Sequence, residues 1–566
     1  MTGIDLRSAV EVIPRSRRAL LPVREIEAVQ RPEALTRTWH VLGFVTVLAI
    51  AVAVRLWRLD AVGFNSDEAV YAGQAASITG DTESLEYFPV FRAHPLLFHA
   101  TVSLVFELVG VSDLAARLTA VAFGIANVVA AVLLGTELYG RRVGLVGGLL
   151  VAVMPYHVIV SRQVLLDGPQ AFLVAMAVWS LARYVNRGWS PWLYAAALFL
   201  GLSVLAKETS IVLAASVFAF FALSPAVALG WRRMVMASAI FVAVVAAYPM
   251  SLRLAGATGT GGAFIAYQLF RRPNHGLDFY PLTVPPAIGL GVVAAALVAA
   301  VVAWRRVTWR ETLVWTWVAV PVLFFELFPV KGYQYLLPAA TPLAVAAAWA
   351  LVHWPEWTAE SRWSERWSTR WRAWRWPASR WLMPRWQVPR RHGPRRPVPR
   401  WLPAAVITVV ALTALVPTLQ SVSATQRDTA LAGTGGLPGG RELGAWIGDN
   451  VPTGVTMMTI GPSMANVIKW YGHRDARGLS VSPNPLYRNP VYDPIPNPDL
   501  AIRRNQVQYV VWDSFSAERS RFFSEAVLRY ADRYSGREVY RQEVHGTDDE
   551  GRPAMVPIII VYEVRP

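Results

Sequence analysis

The 566-residue chain is 54% hydrophobic and only 16% charged, whereas soluble domains carry about a quarter charged residues, so an ordinary soluble protein is excluded and a bilayer is the expected solvent. The formal net charge of +16 does not point to nucleic acid, because the arginines fall in short clusters between apolar runs, as in the cytoplasmic loops of membrane proteins. With no cysteine in the chain, disulfides, thiolate metal sites and cysteine nucleophiles are excluded as well.

Residues 1–39 form a polar segment bearing Arg15, Arg17, Arg18, Arg24, Arg31 and Arg37. No small-residue cleavage pattern follows it, so the first apolar run reads as a retained helix entered from the cytoplasm. Spanning runs lie at about 40–58, 113–136, 142–160, 168–185, 191–206, 209–224, 235–255, 284–304, 312–329, 335–353 and 402–420. The fold class is therefore a polytopic α-helical membrane protein with about eleven transmembrane helices, all but the last within a module over 40–353. Arg141 and Arg142, Arg183 and Arg187, Arg232 and Arg233, and Arg305 and Arg306 fall at alternate connections. With the N-terminus inside, every cluster is inside. That register requires the run 94–110, HPLLFHATVSLVFELVG, to lie on the outer surface within an outer loop of 59–112. Counting it as a span would put Arg141 and Arg142 outside, against the charge rule.

The segment 354–401 falls inside. Trp363, Trp367, Trp371 and Trp374 share one helical face there, which suits a helix lying on anionic lipid; a basic linker is the alternative. Residues 421–566 read as an outer, extracytoplasmic α/β domain. RELGAWIGDNVP has a helical pattern, and VTMMTI, VQYVVWD and VPIIIVYEV are dense in β-branched residues, as buried strands are. No nucleotide-binding glycine fingerprint occurs at a strand–helix turn there.

The acids carry the functional signal. Asp67 and Glu68 lie just beyond the first span, and Asp167 lies in the outer connection before the fourth. All three are on one side, where carboxylates at a lipid boundary are costly without a partner or a function. Loop acids or a helix cap are the plain alternative. Arg92, His94, Arg117, Arg162, Lys207, Arg271, Arg272, His275 and Lys331 share that side. Carboxylates facing cations beside lipid suit a lipid-phosphate substrate: the cations hold the phosphate, and a carboxylate takes a proton from an acceptor hydroxyl.

At these residues the chain resembles the GT-C glycosyltransferases, and more narrowly the branch of protein O-mannosyltransferases and lipid A aminoarabinose transferases. Asp67-Glu68-Ala69 with Tyr71 is similar to the family's first-loop acidic signature. Ala93-His94-Pro95-Leu96 resembles an HPPL element, with Leu96 in place of the second proline. AARLTAVAFG at Arg117, SRQVLLDGPQAF at Arg162 and Asp167, GLSVLAKETS at Lys207 with Glu208 in place of glycine, and KGYQYLLPAATPLAV at Lys331, Tyr335 and Pro338 follow in order. The resemblance covers about 40–345 and implies a GT-C fold. It also implies transfer of a sugar from a polyprenyl-phosphate donor to an extracytoplasmic acceptor (protein, lipid or cell-wall glycan), with inversion. Asp67 is then the candidate base, Glu68 its companion, and Asp167 an orienting group. His94, Arg117, Arg162, Lys207, Arg271, His275, Lys331 and Tyr335 are candidates for the donor phosphate. Some relatives carry a metal, for which His94, His275 and Glu68 are candidate ligands here, but no close spacing demands one, and no essential metal or other cofactor is predicted.

The expected setting is the plasma membrane of a bacterium, on the Ala/Val/Arg/Gly-rich usage, with membrane lipids, donor and acceptor as partners. A polyprenyl-lipid transporter or flippase would share the cationic site, but no inverted repeat is evident, and the charged groups gather on the outer side rather than at the midplane. A glycan-binding scaffold with a degenerate site is disfavoured by the joint presence of Asp67, Glu68 and Asp167.

Overall fold

The computed structural model describes residues 37–271, 273–305, 307–359, 399, 401–423, 437–547 and 552–566. The N-terminal segment before residue 37, the four tryptophans of the Arg/Trp-rich segment, Arg272 and Arg306 lie outside the described residues. Every predicted span coincides with a helix or a bent pair. They are α1 (Arg37–Leu56), α5 (Asp113–Tyr139), α6 (Arg141–Val153) with α7 (Pro155–Ser161), α8 (Asp167–Arg187), α9 (Ser190–Ala206), α10 (Leu213–Leu223) preceded by a 3₁₀ turn (Glu208–Val212), α11 (Trp231–Leu254), α13 (Phe279–Ile288) with α14 (Leu290–Arg305), α15 (Trp309–Leu327), α16 (Leu337–Ala359) and a last helix, Leu402–Ser423. Among the described residues 5 helices are long and apolar enough to cross a membrane, or up to 7 with each bent pair taken as one span. The others are shorter, as α9 and α10 are, or less apolar. Between α1 and α5 the chain forms α2 (Ser66–Ile78), α3 (Thr82–Tyr87) and α4 (Leu97–Val109), the last lying where the interfacial helix is expected; α12 (Thr258–Phe270) follows α11.

Small residues let these helices approach closely. A Cβ on Gly135 would sit 2.8 Å from Gly144 Cα, so α5 and α6 meet backbone to backbone. The bends have local causes. Pro155 cannot continue the hydrogen-bond ladder of α6, and the chain turns by 60°. The carbonyls freed there find side-chain donors: Arg55 reaches Ala152 O at 3.1 Å and Val151 O at 3.4 Å, and Thr418 Oγ1 reaches Val153 O at 2.7 Å. In an apolar surrounding such carbonyls must be paired internally. Between α13 and α14, Gly289 at φ +98° turns the chain by 103°.

The described residues of 437–547 and 552–566 build a five-stranded sheet in the order β2-β1-β3-β5-β4. β1 (Thr456–Thr459), β3 (Tyr509–Asp513) and β5 (Pro553–Glu563) fall on the predicted strands, and the predicted helix is Gly440–Asn450. β2 (Asp475–Gly478) and β4 (Arg537–Thr547) are additions to the predicted set. Both lie at the sheet's edges and carry charged residues, so neither reads as a buried apolar run. β1 pairs parallel with β2 and β3, while β5 pairs antiparallel with β3 and β4.

The helix Pro462–Tyr471 of this domain lies on α2, where Asn466 Nδ2 donates to Ser66 Oγ at 3.0 Å. Asp113, in the first turn of α5, is the main polar anchor. It accepts from Arg441 Nη2 at 2.7 Å, from Trp470 Nε1 at 3.1 Å and from the Tyr471 hydroxyl. Replacing Asp113 with alanine takes this acceptor from Trp470 and Tyr471, while Arg441 keeps its bond to Asp60 Oδ1 at 2.7 Å, at a cost of roughly 2–4 kcal/mol in docking. Amide hydrogen exchange over 462–471 should then accelerate about tenfold or more, while α5 and α8 keep their protection. Unchanged exchange would show that Asp113 does not hold the domain.

Candidate active site

Neighbouring residues on a helix point about 100° apart, and this separates the two acids of α2. Asn65 caps the helix, accepting from Asp67 N at 2.9 Å and Glu68 N at 3.0 Å, while Asn65 N donates to Glu68 Oε2 at 3.1 Å. Glu68 turns inward and is fully buried. Arg117 grips it with two bonds, Nε to Oε1 at 2.8 Å and Nη2 to Oε2 at 2.9 Å. The rest of the guanidinium binds the carbonyls of Leu59, Val62 and Gly63.

Asp67 turns the other way, into a cavity of about 310 Å³. The cavity is lined by α2, the segment 92–94, the break between α9 and α10, α12, the α15–α16 connection and residues 489–492 of the C-terminal domain. Asp67 is accessible from this space, and among the described residues its carboxylate accepts no hydrogen bond. Enclosure by protein raises its pKa; His94 and Lys207 pull against that rise, and Glu68 adds to it.

His94, Lys207, Arg271 and Tyr335 line the same cavity. Lys207 ends α9 in an extended conformation, and its Nζ donates to Asp167 Oδ1 at 2.6 Å and sits 4.9 Å from the Tyr335 ring centre. Both members of that ion pair are buried. Asp167 is thus behind Lys207, within electrostatic reach of Asp67 but off the cavity wall. His94 Nδ1 lies 2.9 Å from Glu208 Oε2, and its ring is held edge-on by Tyr71 and Phe264. Glu208, which stands where the resembled motif has glycine, therefore supplies the partner of His94.

The other predicted phosphate ligands lie elsewhere. Arg117 is committed to Glu68. Arg162 caps the end of α1, donating to Val54, Arg55 and Trp57 carbonyls at 3.2, 2.7 and 2.8 Å. Lys331 is buried against the end of α15, where its Nζ donates to the carbonyls of Phe325 and Glu326. His275 is exposed and stacks on Phe279. Helix ends in an apolar surrounding need donors for their last carbonyls, so a basic residue at a span end is not by that fact a ligand. Glu68 and His275 do not join His94, and among the described residues no three His, Cys, Asp or Glu side chains lie close enough to hold a metal ion. Arg92, one of the outer-side cations noted in the sequence, lines the cavity, and so do Glu208 and Tyr492, which are not among the predicted site residues. For Tyr492, some 400 residues from α2, the sequence offers no signal.

Residues 93–252 match the family model for dolichyl-phosphate-mannose-protein mannosyltransferase. No curated protein sequence matches the chain. Among solved structures, ArnT from Cupriavidus metallidurans in the apo state superposes at TM-score 0.64 with 15% identity, over 93% of this chain and 98% of that one. The same protein bound to undecaprenyl phosphate gives 0.61 with 14% identity over the same shares. The Archaeoglobus fulgidus oligosaccharyltransferase gives 0.56 with 14% identity, over 92% of this chain and 74% of that one. The chain carries the GT-C fold, as the ordered motifs implied.

Arg117→Ala would leave Glu68 buried without its cation, a loss of roughly 3–5 kcal/mol. The ligand-free protein in detergent should show a lowered thermal midpoint, and Glu68→Ala combined with Arg117→Ala should cost less than the two single losses summed. A single variant with an unchanged midpoint would overturn this structural assignment.

Proposed function

We propose that the protein is an integral membrane glycosyltransferase that moves a sugar from a polyprenyl-phosphate carrier to an acceptor hydroxyl, inverting the anomeric carbon. The observation that carries this reading is Asp67, an unpaired carboxylate facing a cavity that also presents cations. Attack on the anomeric carbon breaks its bond to phosphate oxygen. The phosphate leaves as an anion and needs donors rather than an acid. The acceptor hydroxyl loses its proton to Asp67 as it attacks. Arg271 binds the departing phosphate, with Tyr335 and His94 as further donors. Lys207 keeps its ammonium beside the site, while Asp167 fixes its position.

The cavity belongs to the extracytoplasmic side on this reading. Lys207 closes α9 at the cavity, whereas Arg187 ends the preceding helix at the opposite end. Likewise α15 leads to Phe328 in the cavity wall and begins beside Arg305. Basic clusters at the far ends support a cytoplasmic position for those ends. The acceptor would then be a protein, lipid or wall glycan outside the membrane.

The test is transfer by the purified protein in nanodiscs from a panel of polyprenyl-phosphate sugars, guided by mass spectrometry of envelope glycans from cells lacking the gene. Flux of carrier lipid without sugar transfer would sink the proposal. Asp67→Asn keeps shape but accepts no proton, so turnover should fall roughly 10²–10⁴-fold. The base works as carboxylate, and its pKa is raised. Turnover should therefore fall as pH drops through a value above the ordinary aspartate range, and that acid limb should vanish from the residual activity of Asp67→Asn. Near wild-type turnover in Asp67→Asn would remove Asp67 as the base.

A further inference from the structure

The cavity's cations differ in one respect that the proposed reaction makes important. Lys207 is neutralised by Asp167, and His94 is held by Glu208. A leaving phosphate gains most from positive charge that is not already matched inside the protein. Arg271 meets this condition, since among the described residues its guanidinium bonds only the neutral Gln268 Oε1, at 3.3 Å. Arg92 meets it too.

Arg92 lines the cavity and is 7% exposed. One edge of its guanidinium is fixed by the C-terminal domain: Nη2 donates to Val491 O at 3.3 Å, and the carbon centre lies 5.4 Å from the Tyr492 ring. The other edge is unpaired, for Nη1 is buried and has no hydrogen-bond partner among the described residues. Asp67 and Asp493 lie within electrostatic reach, but among the described residues no carboxylate forms an ion pair with Arg92. Burial disfavours its charge. A buried guanidinium donor left unpaired costs free energy, which an incoming oxyanion recovers.

We infer that Arg92, clamped by Val491 and Tyr492, is an anion-binding residue of this cavity, whose spare N–H edge takes a phosphate oxygen. The inference rests on the proposed reading of the site and deepens it. It gives the C-terminal domain a positioning role, in which Val491 and Tyr492 orient the fork of Arg92, so the phosphate is held between the membrane module and the domain docked on it. The shared chemistry is a phosphate group, supplied either by a lipid carrier or by free phosphate.

The experiment measures binding to the full-length protein in nanodiscs with three probes: undecaprenyl phosphate, undecaprenol and inorganic phosphate. The wild type should bind undecaprenyl phosphate more tightly than undecaprenol. Arg92→Gln should weaken undecaprenyl phosphate by roughly 10–100-fold, the range of a lost charge-assisted hydrogen bond, and leave undecaprenol unchanged. Its affinity should also depend less on salt, which a merely structural defect would not produce. Arg92→Lys, which keeps charge without the fork, should fall between the two and covers the case in which Arg92→Gln does not fold. Tyr492→Leu should weaken the same probe and add little on top of Arg92→Gln. Competition by inorganic phosphate assigns the site to a free anion as well as to a headgroup; its failure to compete confines the site to the lipid carrier. Equal binding of undecaprenyl phosphate by wild type, Arg92→Gln and Arg92→Lys overturns the assignment of Arg92 alone. No preference of the wild type for undecaprenyl phosphate over undecaprenol overturns both it and the reading on which it rests.

Discussion

The buried pair of Glu68 and Arg117 organises the face of the molecule that carries the cavity. A buried ion pair is not in itself a large source of stability, because both charges have left water. Once buried, however, neither can lose the other, and each must satisfy its remaining hydrogen bonds. Glu68 does so with the N-cap of α2 and with Val164 N at 3.1 Å. Arg117 does so with the three carbonyls of the chain leaving α1. The start of α2, the exit from the first span, the outer part of α5 and the connection before α8 are thereby tied to one point. Asp67, one residue before Glu68, is left on the other side of the helix with its carboxylate in the cavity.

Around that cavity the charges follow a division of labour set by low dielectric. Lys207 with Asp167 and His94 with Glu208 are matched pairs that fix geometry. Among the described residues Asp67, Arg92 and Arg271 have no ion-pair partner, and the proposed reaction assigns them the proton and the anion. The same need for internal pairing shapes the helix breaks. Arg55, Thr418 and Arg162 direct their donors to carbonyls released at a proline bend and at a helix end, so these two arginines are architectural.

The C-terminal sheet domain belongs to the same structure. Its helix Pro462–Tyr471 buries Trp470 in the apolar cluster formed by α2, α4 and the start of α5, and Asp113 gathers its polar donors. This docking brings residues 489–492 to the cavity wall, where they bind Arg92. A loop of the sheet domain thus completes the wall of a cavity begun by the helical module.

Much of this was legible in the sequence because apolar periodicity and charge placement are local properties. The positions of the helices, the short apolar helix before α5, the strands Thr456–Thr459, Tyr509–Asp513 and Pro553–Glu563, and the placing of Asp67 just beyond the first apolar run all follow from runs of residue type. The order of the motifs also carried the fold. What the sequence does not contain is which charge meets which. Arg117 and Arg271 look alike as isolated basic residues at span ends, yet packing buries one on Glu68 and opens the other to the cavity. Glu208 reads as a lost glycine until His94 stands beside it, and the pairing of Arg92 with Tyr492 joins residues some 400 positions apart. Edge strands such as Arg537–Thr547 escape for a related reason, since a strand paired on one side and wet on the other needs no apolar run. Local pattern determined where the chain would be helical and which residue types stood at the ends of the helices. Only the tertiary structure decided which of them neutralise one another and which remain free to act, because in a low-dielectric interior that choice is made by contact.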